Sequence, residues 1–408
     1  MIESAVLSSS LRVATPERTL ANAERRALEL GITRVTDITR LDRIGIPVYA
    51  SIRPNALPGS LCVNAGKGQR AIEAEVGAYM EAIEYALAEP GASHVETVKA
   101  KARDILDGAT RYDAALDLCP RMATRVRLDE AVTCVEVKDI VTGRTALVPA
   151  ELVFFPFLPS GRERALFGSD TNGLASGNSV QEATVHALAE AIERDIRSFE
   201  GLCDTSLPVD LDSIGGPERD LIDTIRAAGF RLFVRAVPNA FGVVYFSATL
   251  FDPESDSPYF VNAGFGCHPH RRVALVRAIC EAAQSRLSFI HGGRDDLEDW
   301  YALFRNWPNK HKRRHIARMA KKAARGQDRA VSFAELDDWS GECPNVALCE
   351  QWLIERLCAA GFPRILRAVF CQTTDSVQVV RVVVPGLEYF SEKSRRTGKR
   401  LRDHARVS

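Results

Sequence analysis

The pattern of apolar and polar positions repeats in three stretches of the chain. Each stretch places apolar residues at helical spacing, reaches a glycine that can end a helix, and continues as two strand-like runs joined by a short connection. The stretches are residues 20–53, 221–252 and 352–385. Segments that combine a loop and a helix lie at residues 64–89, 176–198 and 268–286. We therefore predict an α+β fold of pseudo-repeated helix–strand–strand units, in which equivalent helices can converge on one site.

The helix pattern within residues 171–197 carries an acidic stripe. Asn178 or Ser179 can cap this helix, and a glutamate three residues after Ser179 suits a capping box. One face then carries Glu182, His186, Glu190 and Glu193. The three glutamates repel one another, so either Arg194 with its basic neighbours or a bound metal is expected to offset their charge. A solvated helix face is the ordinary explanation for such a stripe.

A second stretch of similar make-up, residues 64–85, favours a functional explanation. Its glycine-containing loop leads into a predicted helix on which Glu81 and Glu84 are three residues apart, the spacing that also separates Glu190 from Glu193. Side chains at this spacing are neighbours, and two facing pairs would make an oxygen cage of the kind that Mg²⁺ needs. Lys67, which lies between two glycines, can meet a phosphate where backbone N–H groups are exposed.

Composition changes this picture little. The 408 residues include 53 Lys and Arg and 53 Asp and Glu, so the net charge is zero and nucleic acid is not an expected partner. The ten cysteines form no C-x-x-C pair, which argues against zinc and favours buried thiols. Apolar runs are too short to span a bilayer and the N-terminus lacks a signal pattern. We expect a cytoplasmic protein with no membrane partner.

These motifs together resemble the YcaO family. Five residues at spacings of four, eight, three and one match its nucleotide-binding signature: Asn178, Glu182, Glu190, Glu193 and Arg194. The G-K-G loop followed by Glu81 and Glu84 resembles the family's partner motif. Residues 31–48, 281–296 and 382–388 are also typical of the family. The resemblance implies a YcaO-like fold around a central nucleotide site. It also implies one catalytic unit over residues 1–408. The helix and strand patterns of residues 95–160 indicate a connecting or substrate-recognition subdomain within it.

The resemblance further implies the chemistry. Proteins of this family use ATP and Mg²⁺ to phosphorylate a backbone amide oxygen after a nucleophile has added to the carbonyl carbon. By this resemblance, metals would be held by Glu81, Glu84, Glu190 and Glu193, of which Glu190 and Glu193 would be catalytic together with Arg194. Asn178, Glu182 and Arg194 would contact nucleotide or metal, as would Arg12 and Thr19 near the N-terminus. The chain departs from its better known relative at Arg12 and Thr19, and again at Gly77, where a serine is common.

The third loop–helix segment replaces the paired glutamates with a basic set. A guanidinium opposite two acidic pairs suits a triphosphate. We predict Arg286 as the phosphate contact, with Arg294 as the second candidate. The alternative is that these arginines form ion pairs with Glu281, Asp295 or Asp296.

The product and the partners follow from family subtypes. Azoline-forming members often end in a proline-rich tail, whereas this chain has no proline after Pro385. We therefore expect thioamide formation with a TfuA-like protein, a sulfide donor and a peptide or protein substrate, and we expect a homodimer. The alternatives are an azoline-forming cyclodehydratase, a ligase that uses an acyl phosphate, and a non-catalytic nucleotide-binding module. Residues 310–325 are strongly basic and predict either a solvated helix or a recognition surface.

Overall fold

The computed structural model describes residues 5–7, 9–105, 113–161, 163–391 and 394–407. The chain folds into two compact units. Unit 1 comprises Met1–Ala56, Leu61–Ala82 and Thr205–Asn345, and unit 2 comprises Leu57–Ser60, Ile83–Asp204 and Val346–Ser408. Residues 95–160 belong to unit 2, and their role as a subdomain stays a prediction, as does the single catalytic unit.

Strands and α-helices are interspersed along the chain. The strands are β1 Ala5–Leu7, β2 Ser10–Arg12, β3 Arg34–Asp37, β4 Val48–Ile52, β5 Val63–Lys67, β6 Thr97–Lys101, β7 Ala131–Asp139, β8 Thr145–Pro149, β9 Leu174–Gly177, β10 Leu207–Asp210, β11 Arg231–Ala236, β12 Val244–Phe251, β13 Val261–His268, β14 Val331–Ser332, β15 Leu366–Val369 and β16 Gln378–Val383. The helices are α1 Pro16–Glu29, α2 Ala71–Ala88, α3 Asp113–Leu116, α4 Val180–Glu200, α5 Pro217–Ala227, α6 Arg271–His291, α7 Glu298–Arg305, α8 Asn309–Ala323, α9 Val346–Ala359 and α10 Lys399–Val407.

Unit 1 contains two main sheets. Strands β3, β4 and β5 form an antiparallel sheet, and a five-stranded sheet has the order β13-β12-β11-β10-β14. Glycines allow helices to pack closely on the last strand of each sheet. A Cβ atom at Gly66 of β5 would lie 2.1 Å from the Ala74 carbonyl oxygen of α2, and one at Gly266 of β13 would lie 2.0 Å from the Ala274 carbonyl oxygen of α6. Both glycines are therefore required for the observed helix positions.

Unit 2 is built on a sheet of order β6-β7-β15-β16-β9, with β8 paired to β7. Helix α4 packs on β9 and β16, and α9 packs on α4. The backbone again approaches closely here, because a Cβ atom at Gly177 would lie 2.7 Å from the Ala183 amide nitrogen at the start of α4. Strand β9 therefore leads directly into a buried helix that carries the acidic stripe.

The predicted α+β fold is confirmed. Each of the three predicted helix–strand–strand stretches contains a helix followed by an antiparallel strand pair, namely α1-β3-β4, α5-β11-β12 and α9-β15-β16. That these units are repeats whose helices converge on one site stays a prediction. Among the described helices, none has both the length and the apolar character that a bilayer span requires.

Candidate functional site

The start of α4 is fixed by local hydrogen bonds. Ser179 is the N-cap residue, and its hydroxyl accepts a bond of 3.1 Å from the Glu182 amide. The Glu182 carboxylate accepts a hydrogen bond of 3.0 Å from the backbone N–H of Asn178. In a regular capping box, the backbone N–H of the N-cap residue, here Ser179, would be the donor. The Asn178 side-chain amide donates to both carboxylate oxygens, at 3.0 and 3.3 Å. Glu182 is fully buried, so these donors compensate for the loss of its hydration.

Glu84 of α2 is held against the strand that precedes α4. Its carboxylate oxygen accepts a hydrogen bond from the Ser176 backbone N–H at 2.8 Å and another from the Ser176 hydroxyl at 2.5 Å. Because both bonds go to the same oxygen, they fix the orientation of the whole Glu84 carboxylate group. The carboxylate is therefore presented in a restrained position beside the start of α4.

The acidic stripe of α4 continues around a guanidinium. Arg194 lies 3.1 Å from the Glu190 carboxylate and 3.7 Å from that of Glu193, and Arg197 is 4.0 Å from Glu193. Glu193 is 5% exposed and Glu190 is half-buried. The stripe is thus not a solvated face, and Arg194 supplies the cation that was expected to offset repulsion between the two glutamates.

A buried ionic network lies beside this part of α4, and the sequence analysis did not identify it. Asp170 accepts a hydrogen bond from Arg381 at 3.1 Å and another from Arg396. Burial raises the pKa of Tyr389 to about 12, and the charges of Asp170, Glu190 and Arg194 also act on this hydroxyl. A signal was present in the sequence, since Arg381 and Tyr389 flank the V-V-V-P-G-L-E segment that is typical of the family.

The remaining residues that the sequence predicted for the site lie in unit 1, which includes the first part of α2. Glu81 is a half-buried residue of α2, one turn before Glu84. Lys67 ends β5 and lies 3.5 Å from the Glu281 carboxylate. Arg12 ends β2 and donates to the Ser10 hydroxyl at 3.0 Å.

Two further positions in unit 1, Thr19 and Gly77, lie in closely packed surroundings. Buried Thr19 of α1 donates to the Thr15 carbonyl oxygen at 2.9 Å. A Cβ atom at Gly77 would lie 3.2 Å from the Gly66 Cα atom, so a serine there would have little space. The nucleotide roles of Lys67, Arg12 and Thr19 stay predictions.

Arg286 has partners that the sequence did not predict. Its guanidinium lies 2.9 Å from Asp42 and 3.1 Å from Asp252, and it stacks on the rings of Phe230 and Phe260. Arg286 is 4% exposed. These contacts support a structural role for the side chain, and the phosphate role stays a prediction. The second candidate, Arg294, pairs with Asp296 at 3.0 Å, as the alternative explanation proposed.

The donor chemistry of the carboxylates fits Mg²⁺. Within the part of the chain that the structure describes, no group of three or more His, Cys, Asp or Glu side chains is close enough to hold a metal ion. Glu84, Glu190 and Glu193 nevertheless present the oxygen donors that Mg²⁺ uses together with phosphate oxygens. Arg194 pairs with two of these carboxylates in this structure.

Comparisons with known proteins identify the class. Residues 65–388 match the family described as YcaO cyclodehydratase, ATP- and Mg²⁺-binding. A Methanothermobacter thermautotrophicus protein of uncharacterised function is 32% identical over 401 residues, which cover 95% of this chain and 97% of that protein. An uncharacterised Rhizobium leguminosarum bv. trifolii protein from the tfuA 3′ region is 31% identical over 397 residues, which cover 92% of this chain and 88% of that protein.

A solved structure supports the same conclusion. The structure of YcaO from Methanopyrus kandleri bound with AMPPCP and Mg²⁺ superposes with a TM-score of 0.73 and 25% sequence identity, covering 97% of this chain and 98% of that one. The protein is thus a member of a class of ATP- and Mg²⁺-binding proteins. It belongs to the YcaO family, and the predicted family, its fold and its two cofactors are confirmed.

Proposed function

We propose that this protein uses ATP and Mg²⁺ to activate a backbone amide of a peptide or protein, and that the product is a thioamide. The observation that carries the proposal is the set of restrained groups in unit 2. Ser176 holds Glu84, and Arg194 spans Glu190 and Glu193, so carboxylates suited to Mg²⁺ lie beside a guanidinium suited to phosphate. Glu81 would add a fourth carboxylate. Asn178 and Glu182 would contact the nucleotide or its metal.

Hydrosulfide would add to the amide carbonyl carbon, forming a C–S bond and leaving an oxyanion. This oxyanion would attack the γ-phosphorus of ATP, and ADP would leave. The C–O bond would then break, releasing inorganic phosphate, while loss of the S–H proton gives the C=S bond. Mg²⁺ would supply charge neutralisation between carboxylates and phosphates. Glu84, Glu190 and Glu193 would hold the metal that positions these groups, and Arg194 would help to offset the developing negative charge.

The choice of sulfide rests on the relative from the tfuA 3′ region, whose 31% identity extends over 92% of this chain. That gene location supports a TfuA-like protein as the partner that delivers sulfide. The alternative product is an azoline, formed when a neighbouring Cys, Ser or Thr side chain of the substrate is the nucleophile, and the cyclodehydratase description of the family favours it.

One reaction separates these functions. The protein would be incubated with ATP, Mg²⁺, sulfide, the TfuA-like protein and candidate peptides, and the product mass measured. Replacement of one oxygen by sulfur supports thioamide formation, and loss of one water supports an azoline. A joined product would instead show a ligase, and nucleotide binding without substrate-dependent phosphate release would show a binding module.

Two variants test the assigned carboxylates. Glu190→Gln and Glu81→Gln should abolish ATP turnover, because each removes one metal-binding charge while preserving side-chain size. The matched control is Glu355→Gln, which neutralises an exposed carboxylate on α9. Turnover by Glu190→Gln within a few-fold of the Glu355→Gln rate would contradict the assignment.

A further inference from the structure

One face of helix α8 packs against the rest of unit 1. Met319, Ala320 and Ala323 pack against the Phe233–Phe251 pair. The two rings contact each other edge to face, with centroids 5.6 Å apart. The other side of α8 is exposed, so its side chains are available at the surface of unit 1.

That exposed side is strongly basic. Residues 310–325 contain eight lysines and arginines and no acidic residue. Steps of four, four and three residues place one exposed series on a single face of α8: Lys310, Arg314, Arg318 and Lys321. The ion pair of Arg313 with Asp256, at 2.7 Å, lies on the surface with both side chains about 70% exposed, and it offsets little of this charge. The chain as a whole has no net charge, so this helix is a local excess of positive charge.

A pocket opens along this basic face where α7 ends and α8 begins. Its lining residues are Trp307, His311, Arg314, His315 and Arg318, and its volume is about 230 Å³. Burial, with a smaller contribution from Arg318, holds the pKa of His315 below its usual value. The lining of the pocket combines three aromatic rings with two arginine side chains. A volume of this size accommodates one large apolar side chain.

Exposed apolar residues continue from the pocket onto α7. Trp300 is 45% exposed and Leu303 is 47% exposed. Trp300 stacks on Phe304, whose ring in turn packs against Trp307 at a centroid distance of 5.1 Å. Basic residues with adjoining aromatic and aliphatic surface are typical of protein-binding sites.

We propose that the face of α8 and its pocket dock an acidic polypeptide segment that inserts one large apolar side chain. Carboxylates of the segment pair with the basic series, and the inserted side chain fills the pocket beside Trp307. Charge complementarity speeds association and orients the segment, while burial of the apolar side chain supplies most of the affinity. The proposal does not depend on which amide is modified or on the nucleophile.

The ring geometry favours polypeptide over nucleic acid. Single-stranded nucleic acids bind by stacking bases on open aromatic faces. Trp307 meets Phe304 at 88° and His315 at 75°, so neighbouring side chains occupy its surroundings and the pocket admits a side chain more readily than a flat base.

Binding of labelled probes to the full-length protein tests the proposal. The first probe is a short synthetic peptide in which one leucine is flanked by glutamates and aspartates. Two matched peptides replace the leucine by alanine, or the acidic residues by lysines. A polyuridine oligonucleotide with the same label represents nucleic acid. Fluorescence anisotropy would be measured at low and at moderate salt.

The proposal predicts that the acidic leucine peptide binds, that salt weakens its binding, and that the alanine peptide binds about tenfold more weakly. The double variant Arg314→Glu/Arg318→Glu should lose binding of the acidic peptide. Trp307→Ala should abolish the preference for leucine over alanine. The control Lys138→Glu/Arg144→Glu, which makes the same charge change on the exposed β7–β8 hairpin, should bind like the wild type.

Three results would overturn the proposal. They are equal binding of the leucine and alanine peptides, unchanged binding by Arg314→Glu/Arg318→Glu, and tighter binding of the oligonucleotide in competition with the acidic peptide. Because Trp307→Ala removes an aromatic contact and can destabilise α8, the exposed double charge variant provides the independent arm. Circular dichroism would verify that both variants are folded.

Discussion

Ser176 donates two hydrogen bonds to one carboxylate oxygen of Glu84, from its backbone N–H at 2.8 Å and from its hydroxyl at 2.5 Å. The two residues are 92 positions apart in the sequence. Their contact joins α2 to β9, the strand that leads into α4. It fixes one proposed metal ligand relative to the helix that carries Glu190 and Glu193. The position of a carboxylate, and not only its presence, is thus determined by unit 2.

The first prediction concerns this contact. Ser176→Ala removes the hydroxyl donor and keeps the backbone donor, so Glu84 should retain its charge and lose part of its orientation. A charge-assisted hydrogen bond contributes about 1.5 kcal/mol, which corresponds to about a tenfold higher Mg²⁺ concentration for half-maximal ATP turnover.

The matched control for this prediction is Ser169→Ala. The Ser169 hydroxyl bonds only backbone groups in the described structure, those of Phe154 and Phe157. A Mg²⁺ dependence that is the same for Ser176→Ala and Ser169→Ala would show that the hydroxyl of Ser176 does not position a metal ligand.

A second prediction separates the structural and phosphate roles of Arg286. Arg286→Met leaves the buried Asp42 carboxylate without this cation and leaves Asp252 paired with Arg43 at 2.8 Å, and this should lower the free energy of unfolding by about 3 kcal/mol. The triple variant Arg286→Met/Asp42→Asn/Asp252→Asn removes both carboxylate charges and should recover most of that stability. Urea denaturation measures both changes.

ATP turnover by the triple variant then decides the role of Arg286. Near wild-type turnover supports a structural role only. A folded triple variant with no turnover would instead support the phosphate contact that the sequence predicted.

A third prediction concerns pH. Burial holds the pKa of His268 well below its usual value, and the charges of His270, Arg277 and Arg12 act in the same direction. The folded protein therefore keeps His268 neutral, whereas the unfolded chain takes up a proton as the pH falls through about 6.5. Below that pH the unfolded state binds more protons, so stability should fall by up to about 1.4 kcal/mol per pH unit from this residue.

His268→Asn tests the sign of this effect. The Nδ1 atom of His268 accepts the His270 backbone N–H at 2.9 Å, and an asparagine oxygen can replace this acceptor without titrating. Thermal unfolding would be followed between about pH 7.5 and about pH 5.5. The stability difference between wild type and His268→Asn should become smaller as the pH falls. A constant difference across this range would contradict the prediction.

Local features of the site could be predicted from the sequence, and long-range contacts could not. The start of α4 at Ser179 follows from bonds within four residues, and the acidic stripe follows from helical spacing. The partners of Glu84 and Arg286 depend on strand order and on residues far along the chain, such as Ser176 and Asp252. Spacing alone carries no information about such contacts.

The buried ionic network shows the same limit. Asp170 lies 211 positions before Arg381 and 226 positions before Arg396, so no local pattern links them. Arg286 shows the same limit of prediction from sequence. Charge alone suggested nearby acidic residues as its partners, whereas the observed partners Asp42 and Asp252 come from two other segments.

The most direct test of the central claim follows the amide oxygen itself. A peptide substrate carrying a heavy-oxygen label in the modified backbone amide would be incubated with ATP, Mg²⁺, sulfide, the TfuA-like protein and this protein. Amide activation predicts that the label appears in inorganic phosphate, with one labelled phosphate formed for each thioamide, and that Glu190→Gln forms neither product. Unlabelled phosphate alongside a modified peptide would contradict phosphorylation of the amide oxygen.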